Sequence, residues 1–182
     1  PGDNPIGNLN NAILEISEKP DDAKANETIL RTERESLSKV VKKSDIKSDA
    51  ILLIIDQFEE IFRYSKTGKK DEVELFINII IDTVNQSSVP IFIILTMRSD
   101  FLGDCTEFIG LPEIINKGHF LVPRMTKSER EKTISEPIRI CGGTINPTLI
   151  KRLTEEVGDD PYQLPILQHA LMRTWDYWML NK

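Results

Sequence analysis

Apolar residues at Ile6, Leu9, Ile13 and Ile16 are spaced by three and four, which places them on one face of a helix, with Pro5 suited to its first turn. Residues 19 to 28 are polar and charged and read as a surface loop, after which Ile29, Leu30, Leu37, Val40 and Val41 form a weaker second stripe. Lys42 to Asp49 reads as a connector. Ile51 to Ile55 is a five-residue apolar run rich in β-branched side chains and bounded by polar sequence, as expected of a parallel strand buried on both faces. Val73, Phe76, Ile77, Ile80, Ile81 and Val84 predict a helix over Asp71 to Asn85, and Ile91 to Leu95 is a second buried strand. Strand, helix, strand implies a crossover and a parallel pair, with ligands taken beyond the carboxyl ends of the strands.

A third apolar segment, His119 to Val122, is cut off by Pro123 and reads as a further strand. Beyond it the pattern is helical. Thr126 followed by Glu129 has the form of a capping box opening a helix that should stop before Pro137, and Gly142-Gly143 make a turn. Asn146-Pro147 should cap a helix carrying Leu149, Ile150, Leu153 and Val157 and closed by Gly158. Leu164, Leu167, Leu171, Trp175 and Trp178 form the stripe of a last helix. The expected organisation is an α/β core over residues 1–125 and an all-helical appendage over 126–182.

Composition narrows the function classes. With 23 Lys and Arg against 29 Asp and Glu the net charge is −6, which lacks the basic excess of a general nucleic-acid binder. The longest apolar runs are far short of the roughly 20 residues a membrane helix needs, so a soluble protein is expected. Cys105 and Cys141 have no metal-binding spacing and suggest neither zinc nor a disulfide scaffold, consistent with a reducing, cytoplasmic compartment. His119 and His169 lack companions at metal spacing, Lys66, Lys69 and Lys70 read as a solvated loop, and Trp175, Tyr177 and Trp178 as core and interface aromatics. The opening Pro1-Gly2-Asp3-Asn4-Pro5 has neither an initiator Met nor a signal-peptide core, which suggests a fragment.

The candidate chemistry lies at the two strand ends. Asp56, Glu59 and Glu60 put three carboxylates into five residues, a cluster suited to hydrated magnesium and to positioning a water; the plainer alternative is that Asp56 caps a helix starting near Gln57. Thr96 and Arg98 follow the second strand and suit a terminal phosphate, unless Arg98 simply pairs with Asp100 or Asp104 on the surface. An acidic strand end beside a Thr and an Arg favours a nucleotide site.

These residues carry a family resemblance. Ile51 to Phe62 resembles the Walker B segment of STAND-class P-loop ATPases, in the branch of novel STAND NTPases, and Leu95 to Phe101 is similar to that branch's sensor segment. Leu121 to Thr126 resembles its last core strand and the entry to a helical lid. Leu164 to Leu171, ending in Trp175, is similar to the lid helix, although Gln163 stands where the Gly-x-Pro motif has glycine. The opening segment resembles the stretch after the family's second core strand. The resemblance implies a truncated P-loop NTPase parallel sheet with flanking helices, followed by a helical lid. It implies ATP and Mg2+ as cofactors, Asp56 as the magnesium-associated carboxylate, and Glu59 or Glu60 as the residue orienting water. Arg98 would sense the γ-phosphate, Thr96 shape the strand end, and Pro165 approach the base.

No Gly-x-x-x-x-Gly-Lys-Ser/Thr occurs in the 182 residues, so the amides and lysine that cradle phosphates are expected upstream of Pro1. The implied function is an ATP-binding, slowly hydrolysing conformational switch in a signalling or defence protein, the fragment alone being inactive. Its partners would be nucleotide, other domains of the same chain and further copies on activation, with neither membrane nor nucleic acid. The alternative is a nucleotide-independent interaction module that keeps a relic of the site.

Overall fold

The structure, a computed structural model, describes residues 2–18, 22–86, 88–158, 160 and 163–181. The chain divides into two compact units, Pro1–Phe120 and Leu121–Lys182.

In the first unit, α1 (Pro5–Glu15) starts where Asn4 accepts a 3.1 Å hydrogen bond from the amide of Gly7, and it buries Ile6, Leu9 and Ile13. The expected loop over 19–28 is corrected: α2 (Ala23–Thr32) begins inside it, while residues 19–21 lie outside the described residues. Its stripe is narrow because only Asn26 and Leu30 are buried, and a Glu27–Arg31 pair one turn apart supports its polar face. The second stripe therefore belongs to two helices, since Glu35, with φ at +49°, separates α2 from α3 (Ser36–Lys43).

β1 (Ile51–Ile55) and β2 (Ile91–Leu95) occupy the expected residues and pair in parallel, from Ile51 opposite Ile91 to Ile55 opposite Leu95. Between them lie α4 (Glu60–Ser65) and α5 (Lys70–Gln86). α5 buries Val73, Phe76, Ile77 and Ile80, and Asp71 and Glu72 sit in its first turn, where the helix dipole favours negative charge. The strands were expected to be buried on both faces, but their side chains alternate. Ile51, Leu53, Ile55, Ile91, Ile93 and Leu95 join the core, whereas Leu52, Ile54, Phe92 and Ile94 are exposed. Within this unit the helices cover one face of the sheet, and the period of two sends every second residue to the other.

After β2 the chain makes two short 3-10 turns, Ser99–Phe101 and Asp104–Glu107, and then α6 (Leu111–Gly118). The third strand is not formed. His119 to Met125 has no regular structure, and Phe120, Leu121 and Val122 are exposed. Among the described residues the sheet has two strands, and an apolar run without a neighbouring strand to share its backbone hydrogen bonds gains nothing from extension.

The second unit contains α7 (Lys127–Ile140), α8 (Pro147–Val157) and α9 (Leu164–Leu180). The capping box is present: the Thr126 amide donates to Glu129 at 2.7 Å and the Glu129 amide donates to Thr126 Oγ1 at 3.3 Å. α7 does not stop before Pro137 but runs one turn through it. Proline forfeits one amide bond, yet the helix continues past it for a turn, with the Cys141 amide bonding the Pro137 carbonyl at 3.1 Å. Asn146 caps α8 by accepting from the Thr148 amide at 2.8 Å. Gly143 approaches α9 so closely that a Cβ there would lie 3.0 Å from both the Trp175 ring and Ile138. The core of this unit is small: Ile134, Val157 and Leu167 are buried, with Ile145, Ile150, Leu153, Leu164 and Leu171 around them. Trp175 is half-buried against Trp178, with ring centroids 5.0 Å apart, but Tyr177 and Trp178 are exposed rather than core.

Candidate functional site

The register that pairs Ile55 with Leu95 brings the residues just beyond the strands, Asp56 and Thr96, into contact. The Thr96 amide donates to the Ile55 carbonyl at 3.0 Å, and the Phe58 amide donates to the Thr96 carbonyl at 2.8 Å, so the ladder continues past both strand ends. The Thr96 hydroxyl accepts from the Gln57 amide at 3.0 Å and donates to Asp56 Oδ1. One threonine thus fixes three consecutive residues of the acidic segment.

Asp56 is not a helix cap. Gln57 has φ at +53°, a left-handed conformation that breaks the path from β1 into a helix, and α4 begins only at Glu60, with Glu59 as its N-cap residue. Phe58, Ile61 and Phe62 anchor this entry. Phe58 meets Phe62 edge-on at 5.8 Å, and Phe62 stacks on Phe101 and Phe108 at 6.4 and 5.9 Å. Burying Phe58 carries its neighbour with it: Glu59 is 8 % exposed, and its Oε2 is buried with no hydrogen-bond partner among the described residues. Glu60 is half-buried in the first turn of α4.

Arg98 makes two hydrogen bonds to Asp100, Nε to Oδ1 at 3.1 Å and Nη2 to Oδ2 at 2.7 Å, and lies 5.7 Å from the centre of the Phe101 ring. Hydrogen bonding from Arg98 holds the Asp100 carboxyl below the usual range. This is the plainer surface pairing open to it from the sequence. Pro165 is exposed near the start of α9 in the second unit, following Gln163, whose φ of −81° needs no glycine. Cys105 is buried, and loss of hydration pushes its thiol up to about 11, so it is no nucleophile at neutral pH; Cys141 is a free, exposed thiol.

Among the described residues no group of three or more His, Cys, Asp and Glu could hold a metal by itself. Magnesium does not need one, because it keeps several waters and takes one or two carboxylates together with substrate phosphates. An exposed Asp56 whose Oδ1 accepts from Thr96, and Glu59 three residues on, with a buried oxygen that has no partner among the described residues, fit that requirement. The left-handed Gln57 and the phenylalanine cluster carry no distinctive sequence signal for this site, although Phe58 and Phe62 do stand one helical turn apart.

A parallel strand pair with an acid and a threonine joined at its carboxyl ends, flanked by helices, is compatible with an α/β NTPase-like fold. The chain belongs to the novel STAND NTPase 1 family, whose family model matches residues 1–181. No curated protein and no solved structure matches the chain. At the level of the family it is a nucleotide-binding switch module. No described helix is long and apolar enough to cross a membrane.

Proposed function

We propose that the chain serves an ATP-driven conformational switch in a signalling or defence protein, in which slow hydrolysis resets an ATP-bound state that favours self-association. The observation that carries this reading is the Asp56–Thr96 junction at the carboxyl ends of adjacent parallel strands, in a chain of the novel STAND NTPase 1 family. Asp56 holds the hydrated magnesium, and the metal, when bound, neutralises phosphate charge. Glu59, rather than Glu60, orients the attacking water, because its buried oxygen lacks the partner such a water would supply. Arg98 leaves Asp100 to bond a γ-phosphate oxygen, exchanging one anionic partner for another. Thr96 shapes the strand end, and Pro165 is assigned to the base.

None of the 182 residues forms a phosphate-cradling Gly-x-x-x-x-Gly-Lys-Ser/Thr loop, so the test uses the natural protein containing them. Asp56→Asn should impair magnesium-dependent ATP binding or turnover with little change in nucleotide-free melting. Arg98→Ala should reduce the preference for ATP over ADP. If both variants match wild type in affinity and single-turnover hydrolysis, the chain is a nucleotide-independent interaction module instead.

A further inference from the structure

We infer that Thr96 is a positioning residue for Asp56, not a nucleotide contact: its hydroxyl presets the carboxylate that takes the cation and locks the left-handed turn behind it. This rests on the assignment of Asp56 as the magnesium-associated carboxylate. The hydrogen-bond inventory of a hydroxyl is one proton and two lone pairs. The proton goes to Asp56 Oδ1, and a lone pair accepts the Gln57 amide at 3.0 Å. A donor already committed to Asp56 is not available to a phosphate oxygen.

The arrangement also has a direction. A backbone amide polarises the hydroxyl, which in turn donates to the carboxylate, so each bond strengthens the next. Gln57 sits at φ +53°, a conformation that non-glycine residues hold only where their surroundings impose it, and the bonds doing so come from the side chain and carbonyl of Thr96. Removing the hydroxyl while keeping the β-branched shape should leave the strand pairing intact, because the Thr96 amide and carbonyl bonds to Ile55 and Phe58 are backbone bonds. It should free Asp56 to change rotamer.

Thr96→Val and Thr96→Ser are the deciding variants, in the 182-residue chain without metal. Three-bond couplings of the Asp56 β-protons should report one rotamer in wild type and Thr96→Ser and averaged rotamers in Thr96→Val. Exchange of the Gln57 amide should quicken about five-fold in Thr96→Val alone, the factor expected for one lost hydrogen bond, with Phe58 unchanged. If Phe58 also loses protection in Thr96→Val, Thr96→Ala is the second hydroxyl-free variant under the same criteria. In the natural protein, the magnesium concentration for half-maximal hydrolysis should rise about five-fold for Thr96→Val and stay near wild type for Thr96→Ser. The inference is overturned if Asp56 keeps one rotamer without the hydroxyl, if Thr96→Ser behaves like Thr96→Val, or if the magnesium requirement does not move. The assignment of Asp56 fails separately, through an Asp56→Asn protein that keeps its magnesium dependence whatever the couplings show.

Discussion

Replacing Glu59 by Gln should make the nucleotide-free chain more stable, an unusual expectation for a buried position. Glu59 is 8 % exposed, and its Oε2 is buried with no hydrogen-bond donor among the described residues. Leaving a buried polar group unsatisfied costs about 1–3 kcal/mol, and more when it is charged. Against this, a negative charge at the N-terminus of a helix is stabilising by about 0.3–1 kcal/mol, toward the lower end for the six-residue α4. Gln keeps the shape and still leaves a polar group unsatisfied, but a neutral amide is cheaper to bury than a carboxylate. That difference less the lost dipole interaction leaves a net gain of about 1 kcal/mol, or a rise in melting temperature of about 2–4 °C for a chain of this length. Glu60 supplies the control. It is half-buried in the same first turn, so Glu60→Gln forfeits the dipole interaction without relieving a comparable burial and should melt slightly lower. Scanning calorimetry at pH 7 without nucleotide reads both signs. A Glu59→Gln chain that melts below wild type would refute the claim that the carboxylate is held against its own stability. In the natural protein the same variant should keep ATP binding and slow hydrolysis by about 10²-fold, whereas Glu60→Gln should not.

The hydrogen bond from the Thr126 amide holds the Glu129 carboxyl below its usual range. A depressed folded-state pKa means stability present above the ordinary glutamate range and lost as pH falls through the folded value. The start of α7 should therefore fray on acidification, seen as an upfield move of the Thr126 amide that Glu129→Gln abolishes. Gly143→Ala should destabilise the second unit by about 1–3 kcal/mol in urea titrations, because the new methyl meets Trp175 and Ile138 at 3.0 Å. Gln57→Gly should raise stability by about 1 kcal/mol in the same assay, by relieving the left-handed backbone. The 182-residue chain alone should bind Mg-ATP weakly or not at all by calorimetric titration, since it lacks the amide cradle; low micromolar binding would mean a differently built site.

Periodicity made the long elements legible. The two strands and α5 carry continuous or face-restricted apolar patterns, and the capping residues Thr126 and Asn146 announce their helices by local hydrogen bonding. Short or polar elements escaped the same logic. α2 buries only two residues and so looks like a loop, and α7 passes Pro137 because proline removes one amide bond without preventing the residues after it from bonding back, as the Cys141 amide does to Pro137. The His119 to Val122 segment has the composition of a strand, but composition cannot supply the neighbouring backbone that a strand needs. At the site, residue types pointed to Asp56, Glu59, Glu60, Thr96 and Arg98. What the types could not convey were the left-handed Gln57, which separates Asp56 from α4, and the burial that singles out Glu59, whereas the pairing of Arg98 with Asp100 was one of the two readings its neighbours left open.

The pairing of β1 with β2 has a consequence in the order of events during folding. Each residue of one strand meets a partner 40 positions away, and the bond from Thr96 to Asp56 spans the same 40 residues. Closing so long a loop is entropically opposed until α4 and α5 have formed and docked, so contacts of this kind are made late. The carboxylate is therefore oriented only once the intervening helices are in place, and a partly folded chain has Asp56 and Thr96 but not their geometry.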